Sequence, residues 1–139
     1  KEALNKMQQK FTNQELVTLL QGLYGVQNLK GIKFALKVAR NISVIKQILE
    51  PIEDVAAPSR EFMELSQKVG ELEQAKDTKG IKKLEKENKE LVDARKKQLA
   101  ELQEIMKEET EIDLVKIEEG LLPEEITAGQ INGIETLIK

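Results

Sequence analysis

The 139-residue chain contains no cysteine, no histidine and no tryptophan. Without cysteine there is no disulfide, no thiol nucleophile and no zinc site built on sulfur. Without histidine the commonest general base and the commonest transition-metal ligand are both missing. Aromatic residues make up only 3% of the chain, so a core must be built from Leu, Ile, Val and Ala. No apolar run approaches the roughly 18 residues that a membrane span requires, and none is expected. The glycines at 22, 25 and 31 match neither a P-loop nor a dinucleotide fingerprint. Ser43, Ser59 and Ser66 have no histidine to activate them. The chain begins at Lys1 and shows no signal peptide. These absences point to a non-enzymatic protein that needs no cofactor and no metal, in a reducing intracellular compartment.

What the chain has in quantity is charge. Charged residues make up 34%, and the net charge of −3 conceals segregation along the sequence. Residues 1–49 carry a balance of +6, residues 50–75 of −5, residues 76–107 of +3 and residues 108–139 of −7. Blocks of opposite sign can pair with one another on folding or face different partners. The acidic clusters Glu108, Glu109, Glu111, Asp113 and Glu118, Glu119, Glu124, Glu125 form no calcium-loop pattern and read as an acidic face.

Periodicity gives a mainly α fold. The segment 6–11 allows a short strand, since Met7, Gln9 and Phe11 alternate with polar residues. Thr12 and Glu15 then form a capping-box pattern ahead of Leu16, Val17, Leu19, Leu20 and Leu23, which predicts a helix over 13–24. The main helix is predicted from residue 30 or 31. Ile32, Ala35, Ala39, Ile42, Ile45, Leu49 and Ile52 recur at steps of 3 or 4 and are expected to form its core face. Pro51 should kink that helix or start a new one, and Pro58–Ser59 gives a second break.

Phe62, Leu65, Val69 and Leu72 form a narrow seam of coiled-coil type. A polar tip near 75–80 separates it from a second seam over 81–108, in which Asn88 and Arg95 stand where apolar residues belong. An antiparallel helical hairpin, about 59–108, is therefore expected to project from a base formed by 1–57 and 109–139, the whole a single domain. Residues 111–117 read as a second strand, which needs the 6–11 segment as its partner. Thr127 and Gln130 form another capping-box pattern ahead of a short terminal helix.

Lys30, Lys33, Lys37 and Arg40 recur at steps of 3, 4 and 3 along the main helix and are the candidate partner-binding residues. The first expectation for them is a solvated stripe, paired internally with the acidic 50–75 block, and contact with an acidic partner is the second. Nucleic acid is disfavoured, because the net charge is negative and stacking aromatics are scarce. Asn41, beside the stripe, is expected to bond a backbone group where the apolar face ends.

The order of these pieces resembles a family of short proteins encoded by tailed phages and prophages of Gram-positive bacteria. The resemblance rests on FTNQELVTLLQGLYGVQNLKGIKFALKVARNISVIKQILEPIED, above all Lys30 to Pro51, and on the acidic EIDLVKIEEG ending with its terminal helix. It implies an accessory protein of the host cytoplasm or the virion, acting through contacts with a phage or host protein or through self-association. Two roles follow as expectations. One is a virion or assembly component. The other is an early regulator that binds and inhibits a host protein.

Overall fold

The computed structural model describes residues 6–139, apart from the side chains of residues 6 and 7. Residues 1–5 of the ambiguous opening segment, and the side chain of Met7, lie outside the described residues. Among the described residues the fold is mainly α, with six helices and a two-stranded antiparallel sheet. Two compact units divide the chain: one takes it up to Ile52 and resumes at Met106–Lys139, and the other is Glu53–Ile105.

The first unit begins with β1 (Lys6–Thr12), which pairs antiparallel with β2 (Glu109–Val115). Ile112 and Leu114 of β2 are buried, while Glu109, Glu111 and Asp113 are exposed, the alternation a half-buried strand requires. Thr12 ends β1 and caps α1 (Asn13–Tyr24). Its hydroxyl accepts from Glu15 N–H at 3.0 Å, and the Glu15 carboxylate accepts from Thr12 N–H at 2.9 Å. The strand, the box and the helix bounds are as the sequence predicts.

Helix α2 (Ile32–Ala56) follows a loop that ends at Gly31, whose φ of +111° is left-handed backbone suited to glycine. Its core face matches the predicted one in the C-terminal half, where Ile45 and Leu49 are buried and Ile42 and Ile52 pack against the core, and departs from it in the N-terminal half. The buried residues are Phe34, Val38, Asn41, Ile45 and Leu49, whereas Ile32 is 81% exposed and Ala39 is also on the outside. The stripe through Ile32, Ala35 and Ala39 selects small or terminal residues. Phe34 and Val38 bury more apolar area a few tens of degrees round the helix, and that burial sets the rotation. The helix also runs unbroken through Pro51. Proline removes the hydrogen bond to the Gln47 carbonyl, and both residues lie on the exposed side of the helix.

The chain's end closes this unit. Thr127 and Gln130 form the expected capping box at the start of α6 (Ala128–Gly133), which is only six residues long. Gly22 of α1 meets Gly133 of α6 so closely that a β-carbon at Gly22 would lie 2.1 Å from the Gly133 carbonyl oxygen. Gly22, which in the sequence only weakens α1, is thus the point where two backbones touch. Gln130 adds a bond to the Gly25 carbonyl at 3.1 Å. Ile117 N–H donates to Leu137 O and its carbonyl accepts from Lys139 N–H, tying the C-terminus to the segment after β2. Phe11, Leu16, Leu23, Phe34, Ile45, Leu114, Ile134 and Leu137 lie in one continuous core.

The second unit holds α3 (Arg60–Gln74), α4 (Thr78–Glu87) and α5 (Lys89–Lys107). Ser59 caps α3, and Asp77 caps α4 through Gly80 N–H. The turn between them is shorter than the predicted tip, with Lys76 in left-handed backbone at φ 58°. The predicted long second helix is divided at Asn88, whose side-chain amide donates to Leu84 O at 2.9 Å. That bond is local, within one turn of helix. Arg95 stands over the Phe62 ring at 5.9 Å and donates to Ala56 O at 2.7 Å. Gln98 donates to Val55 O and Ala57 O. The two polar side chains thus satisfy carbonyls at the C-terminal end of α2, which explains a cation at an apolar seam position.

Candidate functional site

The rotation of α2 decides what it offers to a partner. With Phe34, Val38, Asn41, Ile45 and Leu49 inward, the opposite side presents Ile32, Lys33, Leu36, Arg40, Ser43 and Gln47. Ile32 and Leu36 are four residues apart on one face and are 81% and 51% exposed. No acidic residue occurs between Glu15 and Glu50, so the apolar pair lies in a basic setting.

The four candidate cations have separate fates. Lys37 is drawn inward. Its Nζ meets Glu118 Oε2 at 2.6 Å and donates to Lys116 O at 3.3 Å, and its side chain is only 15% exposed. Glu118 responds: the Lys37 ammonium and a backbone hydrogen bond hold its carboxyl below its ordinary value. Lys30 is exposed, and its backbone N–H donates to Glu125 Oε1 at 3.1 Å. Glu125 is also lowered, first by a backbone hydrogen bond of its own and then by the one from Lys30. Lys33 and Arg40 are exposed and make no hydrogen bond or ion pair among the described residues. The stripe is therefore divided, and its acidic counterparts come from the 108–139 block and not from 50–75.

Asn41 is fully buried and bonds the backbone, as its sequence position suggests. Its amide donates to Val115 O at 2.9 Å, and its carbonyl accepts from Val115 N–H at 2.7 Å. The side chain thus pairs with β2 as the peptide of a neighbouring strand would. Beyond this clamp an open groove of about 730 Å3 runs between α2 and β2, lined by Arg40, Ser43, Val44, Gln47 and Ile48 on the helix and Glu111, Ile112 and Asp113 on the strand.

The exposed Ile32–Leu36 pair and the groove beside β2 were hidden in the sequence. The signal for the first was the competing stripe Phe34, Val38, Asn41, Ile45 and Leu49, also at steps of 3 and 4. The second depends on which strand edge α2 lies against, which no local pattern encodes. Among the described residues no group of three or more carboxylates is placed to hold a metal ion, and no helix is long and apolar enough to cross a membrane. No protein-family model, curated protein or solved structure matches the chain.

Proposed function

We propose that this protein is a non-enzymatic accessory protein, of the phage or prophage kind its sequence resembles, that works by docking a protein partner on the outer face of α2. The observation that carries this reading is the pairing of Ile32 and Leu36, exposed and apolar, with Lys33 and Arg40, exposed and free of internal partners among the described residues. Two apolar anchors one turn apart, flanked by cations, suit the apolar face of an acidic helix. Desolvating the apolar pair supplies affinity, and the cations supply orientation and rate of encounter.

A virion or assembly component and a regulator of a host protein would both use such a face. The free cations favour the regulator as a second reading, because long-range steering matters most for a partner met at low concentration. Copurification separates the roles. The wild-type protein is used as bait with purified particles and with infected-cell lysate, beside Leu36→Glu and the double variant Lys33→Glu, Arg40→Glu. Helix content is checked by circular dichroism. A partner held by wild type and released by both folded variants is the expected result. Equal retention by all three would overturn the reading. Presence in particles assigns the assembly role, and a host protein bound only in lysate assigns regulation.

A further inference from the structure

We infer that the outer edge of β2 accepts an extended, basic segment of another protein as a third strand. Backbone geometry supplies the argument. In an antiparallel ladder, successive residues turn their N–H and C=O groups alternately toward and away from the partner strand. Val115 gives both groups to Asn41, on the side of β2 away from β1. By the same alternation Asp113 and Glu111 direct their backbone groups to that outer side, while Leu114 and Ile112 bond β1. Asp113 and Glu111 have no hydrogen-bond partner for these groups among the described residues. The groove between β2 and α2 lies along this stretch.

The first rung of a third strand is thus occupied by a side-chain amide, and the next two rungs are open. The chemistry of the occupant follows from the strand side of the groove, since on the helix side Lys37 is already paired with Glu118 and Arg40 is one free cation against two carboxylates on the strand. Glu111 and Asp113 expose carboxylates on one face of the strand, and Lys10 already stands opposite Glu111 on the β1 side. A third strand would complete the same charge pattern with Lys or Arg opposite the two carboxylates. Its alternate residues would turn toward half-buried Val44 and Ile48 and should be apolar. Edge-to-edge pairing of two β2 strands would bring carboxylates against carboxylates, so a second β2 is the wrong occupant. The β2 edge and the Ile32–Leu36 face meet at Arg40, which lines the groove, so the two are told apart by Leu36→Glu on the helix and by substitutions at Glu111 and Asp113 on the strand.

The test uses the full chain, labelled with 15N, and a capped seven-residue peptide alternating Lys and Val. Titration should shift the Asp113 and Glu111 amide resonances and slow their exchange with solvent. A Glu–Val peptide of the same length should bind at least tenfold more weakly. Asp113→Pro removes an outward donor while sparing the β1 ladder, since proline is tolerated at an edge position whose N–H faces solvent. It should weaken the Lys–Val peptide at least tenfold. Should it fail to fold, Glu111→Lys with Asp113→Lys gives the same loss through charge. Undisturbed Asp113 and Glu111 amides, or equal binding of both peptides, would overturn the proposal. So would a concentration-dependent rise in molar mass that displaces the peptide, which would assign the edge to self-pairing.

Discussion

The two units differ in size, and they differ more in how they bury their side chains. The unit containing α1, β1, β2 and α6 holds Phe11, Leu16, Leu23, Phe34, Ile45, Leu114 and Ile134 in one core, each nearly or wholly removed from water. In Glu53–Ile105 the only buried hydrophobic side chain among the described residues is Leu65, and α4 and α5 bury none. A helical seam one side chain deep removes little apolar area, so α4 and α5 rely on caps, charge and local hydrogen bonds. Amphipathic periodicity alone does not distinguish these cases. Closure by a sheet and a third layer of helix makes the difference.

Truncation of a core side chain should separate the two units most. Phe34→Ala should cost about 3–5 kcal/mol of unfolding free energy by chemical denaturation, while Leu65→Ala should stay near the low end of its class, about 2 kcal/mol, because a narrow seam collapses around the lost volume. Asn41→Ala comes next. It orphans the half-buried Val115 N–H and C=O, at up to about 1–3 kcal/mol for each, and a similar loss should not follow from Asn88→Ala, whose bond lies within one turn. Gly22→Ala forces α1 and α6 apart and should cost about 1–3 kcal/mol, measurable as a lowered melting temperature, whereas Gly70→Ala meets open space in α3 and should stabilise by a few tenths up to about 1 kcal/mol.

Amide hydrogen exchange sharpens the contrast without mutation. Amides of α4 and α5 should open at lower free energy than those of α1 and the middle of α2. Uniform protection across both units would show that they unfold together.

The smallest effect concerns pH. Lys37 lowers the Glu118 carboxyl from its ordinary value near 4.5, so the folded protein binds fewer protons there than the unfolded chain. The stability from this group is present above the ordinary carboxylate range and is lost as pH falls through the lowered value. Glu118→Gln should therefore flatten the acid side of the stability profile and leave the Glu53–Ile105 exchange pattern unchanged.

Much of the architecture was legible locally. The capping boxes at Thr12 and Thr127 are complete in four residues each, and the need of one lone strand for another joined 6–11 to 111–117, although the second strand lies two residues earlier, at Glu109–Val115. The α2 rotation was less legible, because two stripes with the same period compete and only tertiary burial chooses between them. Of the two expectations at Pro51, the new helix did not form, because a missing donor costs little at an exposed position. The division at Asn88 was missed because a charged helix with weak seams gives no strong signal at its own break. Of the four candidate cations, Lys33 and Arg40 stay outward while Lys37 pairs with a residue 81 positions away. Separation of that size leaves no trace in helical periodicity.

Asn41 has one more consequence. A strand has a parity: odd and even residues face opposite sides, and a slip by one position exchanges them. The Asn41 amide can engage β2 only at a residue whose backbone groups point away from β1. If β2 slid by one residue, Leu114 or Lys116 would arrive at the amide with the wrong parity, and Ile112 and Leu114 would turn to solvent. A single carboxamide on a helix thereby checks the phase of a strand more than seventy residues away in the sequence.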